Sequence, residues 1–454
     1  MLEKTSKPLQ PIQQRIKNFY EVSLGLDDNQ AQEEAARCLN CHNPRCVKGC
    51  PVNVPIPQFI KKIKENDLDA AYKLITSANS LPSICGRVCQ QESQCEGSCV
   101  LALKERCVSI GNLERYVADW HNSRHPLQIN FTPVTKKHKV AIIGCGPAGI
   151  ACASELNKMG YDVTIFEAQA HGGGVLYYGI PDFRLPREVI NREINNLAAR
   201  GVKIIYDCEI GKDMTVKQIF NQGFSAVFIG IGADAPHVMN IEGENLEGIY
   251  TANEYLSRVN LMAMHRQASL FVGRRVAVIG GGNVAMDAAR CALRLGSVVK
   301  ILYRRSIEEL PACLEEVNTA VEEGVDFQWL TSPVRFLGRN GVVCGIECVK
   351  MKLGEPDATG RKTPEVVDNS NFIIDVDSVI IAIGSQPSQN VKIMTNDLKF
   401  DKYGCILTDE SGCTGVTGVY AGGDIVNGPA TVIMAMGNGK TAAKSIDKYL
   451  QSKE

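Results

Sequence analysis

Twice in this chain a short apolar run breaks into a glycine-rich loop and then into a helical pattern. The first is KVAII, which runs into Gly144-Cys145-Gly146-Pro147-Ala148-Gly149; the second is RRVAVI, which runs into Gly280-Gly281-Gly282-Asn283-Val284-Ala285. A strand that turns through glycine directly into a helix is the building unit of a parallel sheet with helices on its faces. Further apolar runs, YDVTIFEA, SAVFIGIGA, VVKILYRR, DSVIIAIGS and GVYAGGD, alternate with helical stretches. The expected fold class is therefore α/β, with two Rossmann-like dinucleotide-binding domains. At about 150 residues per domain, 454 residues leave room for a third unit. We expect a helical domain over 1–134, a dinucleotide-binding domain beginning over 135–260, a second over 261–374, and a return to the first over 375–454. The first dinucleotide domain is then discontinuous.

The chemistry of the loops follows from their glycines. In the first loop, Gly144 permits the tight turn, Gly146 lets a pyrophosphate approach the backbone, and Gly149 lets helix pack on strand. The helix start at Pro147 and Ala148 offers unpaired N–H groups and a positive dipole end. Glu167 closes the next strand, 18 residues after Gly149. That is where a carboxylate binds ribose hydroxyls. The second loop, Gly280, Gly282, Asn283, Val284 and Ala285, carries the allowed alanine at the third position. Its second strand ends in Arg304-Arg305, 22 residues after Gly282, instead of an acid. Guanidinium groups pair with a 2′-phosphate that a carboxylate would repel. The first loop thus reads as FAD-binding and the second as NADPH-binding. A third segment, Ala421-Gly422-Gly423-Asp424, precedes Thr431 and Val432 at a helix start; Asp424 is placed to hold the ribityl chain. Ala382-Ile383-Gly384, after a strand, are expected near the nicotinamide nucleotide. Bare glycine turns and a capping aspartate are the bland alternatives. No catalytic side chain is assigned beyond the cofactors, because two dinucleotide sites in one chain suffice for flavin reduction by nicotinamide.

The N-terminal third differs in composition. It holds nine of the 18 cysteines in 134 residues. AQEEAARCL, VPIPQFIKKIKENDLDAAYKLI and VSIGNLERYVADWH have helical spacing, and HPLQINFTPVTKKH looks like a linker. The N-terminus lacks the apolar core of a signal peptide, and no run of about 18 apolar residues occurs, so the expected location is cytoplasmic with no membrane span. There, clustered thiols are ligands or redox groups rather than disulfides. A net charge of −1 gives no footprint for nucleic acid. The cysteines fall in two groups, Cys38-x2-Cys41-x4-Cys46-x3-Cys50-Pro51 and Cys85-x3-Cys89-x5-Cys95-x3-Cys99. Zinc favours paired short knuckles. Iron–sulfur sites favour three near cysteines and a remote one, with a Cys-Pro cysteine serving the other cluster. The second assignment suits a flavin neighbour.

These cysteine groups, together with FRLPREVI, YRRSIEELP and YAGGD, resemble the small (β) subunit of NADPH-dependent glutamate synthase. The same module resembles the N-terminal half of dihydropyrimidine dehydrogenase and the large subunit of the bifurcating NADH-dependent ferredoxin:NADP oxidoreductase. The resemblance runs from about Ala31 to the end. It implies FAD, NADPH and two 4Fe–4S clusters. Carried over residue by residue, it implies Cys38, Cys41, Cys46 and Cys99 on one cluster and Cys50, Cys89 and Cys95 on the other. It implies a carboxylate or amide as eighth ligand, matched here by Glu114 in Ile110-Gly111-Asn112-Leu113-Glu114; Cys107 is the competitor read from the residues alone, and Cys85 is not a ligand. It also adds Val88, Val175 and Arg184 on the flavin side. The scattered cysteines, such as Cys145, Cys152, Cys291 and Cys344, fit as small core residues.

Three enzymatic functions are compatible. The first is a glutamate synthase small subunit that feeds electrons to a large subunit. The second is a stand-alone NADPH oxidoreductase reducing ferredoxin, ferric iron or small oxidants. The third is a subunit of an electron-bifurcating complex. A homo-oligomer fits all three. A thioredoxin-reductase-type dithiol enzyme is disfavoured because no C-x-x-C lies in the α/β region; beyond enzymes, an electron-transfer scaffold whose partner performs all substrate chemistry stays open, whereas a degenerate nucleotide sensor conflicts with the complete motifs at every site. Leu2 stands where a glutaminase nucleophile would need cysteine.

Overall fold

The computed structural model describes all residues except 1–4, 6, 105, 126–130, 266–271, 358–359, 389, 396 and 454. The expected linker includes 126–130, which lie outside the described residues.

The N-terminal unit is built of helices, and its sequence shows why. Asp27 accepts a hydrogen bond from the Gln30 backbone N–H while Gln30 Oε1 accepts one from the Asp27 backbone N–H, a capping box that opens Asp28–Ala36. Ile56, Phe59, Ile60 and Ile63 recur at helical spacing on Ile56–Lys64 and are buried. That helix stops at Asn66, which adopts a positive φ of 55°. Asp67 then caps Leu68–Ala78 by accepting from the Ala70 N–H. Pro82–Val88 and Ile110–Arg124 pack so closely that a Cβ on Gly86 would sit 2.7 Å from the Arg115 backbone nitrogen.

Two parallel five-stranded sheets follow. The first has the order Val419–Ala421, Phe224–Ile229, Lys139–Ile143, Asp162–Phe166, Lys203–Ile205. The second has the order Ile249–Thr251, Ser378–Ile381, Arg275–Ile279, Val298–Tyr303, Asp326–Trp329. In each, the strand before a glycine loop is central and the chain crosses over through a helix, Pro147–Lys158 or Asn283–Arg294. The boundaries expected at 260/261 and 374/375 move accordingly. Strands Ile249–Thr251 and Ser378–Ile381 hydrogen-bond into the second sheet, so that unit starts before 261 and ends after 375. A short antiparallel pair, Ala235–Pro236 with Ser385–Gln386, ties together the two crossings between units. The second unit also carries an antiparallel sheet of Thr331–Arg339, Val342–Pro356, Lys362–Val366 and Phe372–Asp375, which lies outside the parallel pattern.

The cores cross the domain divisions. Leu81, Ile84 and Cys85 of the helical unit belong to one cluster with Val140, Ile142, Ala148 and Met436 of the first α/β unit. Val22 and Phe183 are likewise part of the core of the second unit. Above Phe183 lie the guanidinium groups of Arg290 and Arg294, 4.6 and 4.0 Å from the ring centre. Both pair with Glu323, which Arg15 of the N-terminal arm also reaches at 3.1 Å.

Candidate cofactor sites

At the first loop, Gly144 has φ of 96°, a region that L side chains rarely adopt, and a Cβ on Gly149 would fall 2.0 Å from the Gly144 carbonyl oxygen. Glycine is therefore required at both positions. Gly146 has open space on its Cβ side, the nearest atom lying 4.0 Å away, as a cradle for a pyrophosphate needs. Pro147 is the first residue of the helix and Ala148 is buried behind it. Glu167 stands beside the loop: Oε2 accepts from the Cys145 N–H at 2.7 Å and Oε1 from the Gln169 N–H at 2.9 Å. Burial nevertheless raises its pKa above the usual carboxylate value. Val175 opens a short turn of helix preceded by Gly174, whose missing Cβ would lie 3.3 Å from Gly146 Cα. Gly423 approaches from the other side, where a Cβ would lie 3.0 Å from Ala148 Cβ. Asp424 accepts from the Ala430 N–H at 3.2 Å, and burial pushes its carboxyl up to about 6. Thr431 caps Val432–Gln451 and accepts from Gln94 Nε2 at 3.2 Å. The structure thus gathers Gly144–Gly149, Glu167, Val175, Gly423, Asp424, Thr431 and Val432 around one loop.

At the second loop Gly282 has nothing within 4 Å of its Cβ direction. Asn283 Oδ1 accepts from the Cys313 N–H at 2.9 Å, which holds the neighbouring loop in place. Val284 is exposed, Ala285 is buried, and Ala382 follows its strand so closely that a Cβ on Gly280 would meet the Ala382 carbonyl at 2.2 Å. Ile383 and Gly384 continue past it, the latter accepting from the His237 N–H. The two arginines separate. Arg304 is exposed and has no hydrogen-bond or ion-pair partner among the described residues. Arg305 is buried, donating through Nε to the Lys362 carbonyl at 2.8 Å and lying 3.5 Å from Asp357. Arg184 is also committed elsewhere: its guanidinium pairs with Asp287 at 2.7 Å and Glu316 at 3.1 Å, across the junction of the two α/β units.

The cysteines sort into two sets. Cys38, Cys41, Cys46 and Cys99 line one pocket with Ile56, Ile60, Val108 and Ile110 at its back. All four are partly exposed. Burial and the neighbouring thiols push Cys46 up to about 11. In the second set Cys50 is buried and Cys89 and Cys95 are partly exposed. Cys50, Cys89 and Cys95 act electrostatically on one another or on Glu114; a hydrogen bond with Cys85, then burial, push Cys89 well up, and burial does the same to Cys95. Glu114 is buried and pushed up to about 7 by desolvation, opposed only by a hydrogen bond from Asn79 Nδ2 to its Oε1 at 2.6 Å. Thiols and a carboxylate packed together out of water, each forced toward its protonated form, are a donor set suited to a bound cationic centre. Both sets therefore fit iron–sulfur clusters. Cys85 borders the second set: it is hydrogen-bonded with Cys89, and its Sγ lies 3.6 Å from both Asn79 Oδ1 and Met436 Sδ. Cys107 instead turns its Sγ to Glu96, at 3.8 Å. Val88 ends the helix that carries Cys85 and packs on the first α/β core. Asn79 and Gln94 were missed by motif reading, since neither belongs to a spaced pattern.

Comparison with known proteins agrees with this layout. Residues 15–126 match the family model "Dihydropyrimidine dehydrogenase domain II, 4Fe-4S cluster", and 138–439 match "Pyridine nucleotide-disulphide oxidoreductase". The glutamate synthase [NADPH] small chain of Escherichia coli is 36% identical, covering 99% of this chain and 98% of its own length. The NADPH-Fe(3+) oxidoreductase subunit beta of Geobacter sulfurreducens is 37% identical over 97% of this chain and 69% of its own. Among solved structures, Mycobacterium tuberculosis FprA in complex with NADPH shares the fold, with a TM-score of 0.60 and 20% identity over 70% of this chain and 85% of its own. No helix among the described residues is long and apolar enough to cross a membrane. With a relative of this identity matched end to end, the chain belongs to the glutamate synthase small-chain family and is an NADPH-dependent oxidoreductase carrying FAD and 4Fe–4S clusters.

Proposed function

We propose that this chain is the NADPH-oxidising small subunit of a glutamate synthase-type complex, delivering electrons to a large subunit. Cys38, Cys41, Cys46 and Cys99 hold an outer cluster; Cys50, Cys89, Cys95 and Glu114 hold an inner one. When bound, NADPH supplies a hydride, FAD takes electrons as a pair and releases them singly, and the clusters carry one each.

The protein's own work is positioning. The loop at Gly144–Gly149 and Glu167 seat the flavin nucleotide, with Asp424 and the start of Val432–Gln451 against the rest. Gly282 and Arg304 seat NADPH. The observation that carries the reading is the contact between the inner set and the flavin unit. Gln94, between Cys89 and Cys95, reaches Thr431, and Cys85 touches Met436 on the same helix. The outer set lies nearer the surface, which supports an order of flavin, inner set, outer set, partner.

The test is purification from the native source and identification of what co-purifies. A flavoprotein large subunit that makes glutamate supports the reading. A lone chain that reduces ferric iron with NADPH replaces it with a stand-alone reductase. A small flavin and 2Fe–2S subunit replaces it with a bifurcating complex.

A further inference from the structure

The outer cysteine set opens onto a surface whose composition departs from the rest of the chain. Leu39 lies between Cys38 and Cys41, while Val100 and Leu103 follow Cys99. Their exposures are 61%, 40% and 83%. Leu39 and Val100 line the same pocket as the four cysteines. Beside them a shallow open depression is lined by Arg45, Lys48, Cys99, Ala102 and Leu103. Arg45, Lys48, Lys104 and Arg106 are all exposed, and none has an ion-pair partner among the described residues. Over residues 38–48 and 98–106 the sequence has four lysines and arginines and a single carboxylate, Glu105. The chain as a whole is balanced at −1, so this rim is a local excess.

Exposed apolar side chains flanked by exposed cations, at the mouth of the outer thiol pocket, have the composition of an encounter surface. Charge there speeds and orients docking, and the apolar centre brings the edges together. Resting on the reading that electrons leave through the Cys38, Cys41, Cys46 and Cys99 site, we propose that this rim docks a partner protein presenting carboxylates around an exposed one-electron centre. Leu39, Val100 and Leu103 make the dry contact, while Lys48, Lys104 and Arg106 face the carboxylates. The step is one electron from the outer site to the partner's oxidised centre, with NADPH as the source.

The test uses the holoprotein and two haem proteins of opposite surface charge as acceptors: cytochrome b5, with carboxylates at its haem edge, and cytochrome c, with lysines. Reduction of cytochrome b5 by NADPH should be at least tenfold faster at low salt and should slow steeply as salt rises. The triple variant Lys48→Glu, Lys104→Glu, Arg106→Glu should reverse the preference. Equal rates with both acceptors, insensitive to salt, would overturn the docking proposal. Anaerobic absorbance and EPR after mixing with NADPH separate the two readings. If flavin and clusters do not become reduced, the electron-transfer reading fails and the docking proposal falls with it. If they do become reduced but acceptor charge is irrelevant, only the docking proposal falls.

Discussion

Asn79 donates its side-chain N–H to Glu114 Oε1 at 2.6 Å, with both residues buried in the helical unit. Asn79 Oδ1 in turn accepts from the Leu81 N–H at 2.9 Å and faces the Cys85 thiol. The carboxylate is thus held by a side chain that is itself fixed by backbone. Glu114→Ala should lose or alter one cluster, read as iron content and EPR signal, and Asn79→Ala should change the same signal. Cys107→Ser should keep both clusters; loss of one in that variant would give Cys107 the eighth place instead.

Arg304 and Arg305 are adjacent in sequence but not equivalent in structure. Arg304→Ala should weaken NADPH by about 1.5–3 kcal/mol, roughly 10- to 100-fold in KM, with NADH nearly unchanged. Arg305→Ala should lower the thermal midpoint, because its Nε bond to the Lys362 carbonyl anchors the antiparallel sheet. Steady-state kinetics with both nucleotides and a melting curve distinguish the two roles. Equal loss for NADPH and NADH in the Arg304 variant would remove the 2′-phosphate role.

Asp424 has a carboxyl raised to about 6 in the folded chain by burial. A raised acid is stabilising while protonated in both states, below about pH 4, and that contribution is lost as pH climbs through 6. In flavin-free protein, Asp424→Asn should therefore raise Tm more at pH 8 than at pH 5. The same variant should loosen FAD, measured as flavin retained on gel filtration, if the carboxylate binds the ribityl hydroxyls.

Glu323 is the counterpart of Arg290, Arg294 and Arg15, and against the cost of burial the hydrogen bonds and charges of Arg294 and Arg290 pull its carboxyl down to about 2. Glu323→Ala leaves the buried Arg294 without a carboxylate, while Arg290 keeps Glu316 and Arg15 keeps Glu322, and should cost about 3–5 kcal/mol in denaturant unfolding. A depressed acid contributes its stability above the unfolded value, near pH 4, and loses it as pH falls toward 2. Wild type should lose this contribution on acidification over that range; the variant should not.

The parallel units were legible because their signals are local. KVAII and RRVAVI each form a central strand, and the glycine spacing is dictated by one turn and one close approach. The helical unit was legible from apolar spacing on Ile56–Lys64 and Ile110–Arg124. What could not be read lay in long-range pairing. Ser378–Ile381 is as apolar as any strand of the first sheet, and only its hydrogen bonds to Arg275–Ile279 place it in the second. The antiparallel strands at 331–375 alternate weakly, with proline at Pro333 and Pro364, so no period announced them. At the sites, Arg184 sits in a recognisable motif, yet its charge is spent on Asp287 and Glu316, partners about 100 and 130 residues away in sequence. Asn79 carries no motif at all; its role comes from being the buried amide nearest a buried acid.

The shared core of Leu81, Ile84 and Cys85 with Met436 has a consequence for biogenesis. The cysteine-bearing helices emerge well before Val432–Gln451, which completes the surface they pack against. A nascent chain therefore holds its N-terminal thiols beside an unfinished apolar face until that helix has been made. Premature termination after the second sheet would leave that face bare, producing an aggregation-prone fragment rather than a smaller working electron carrier.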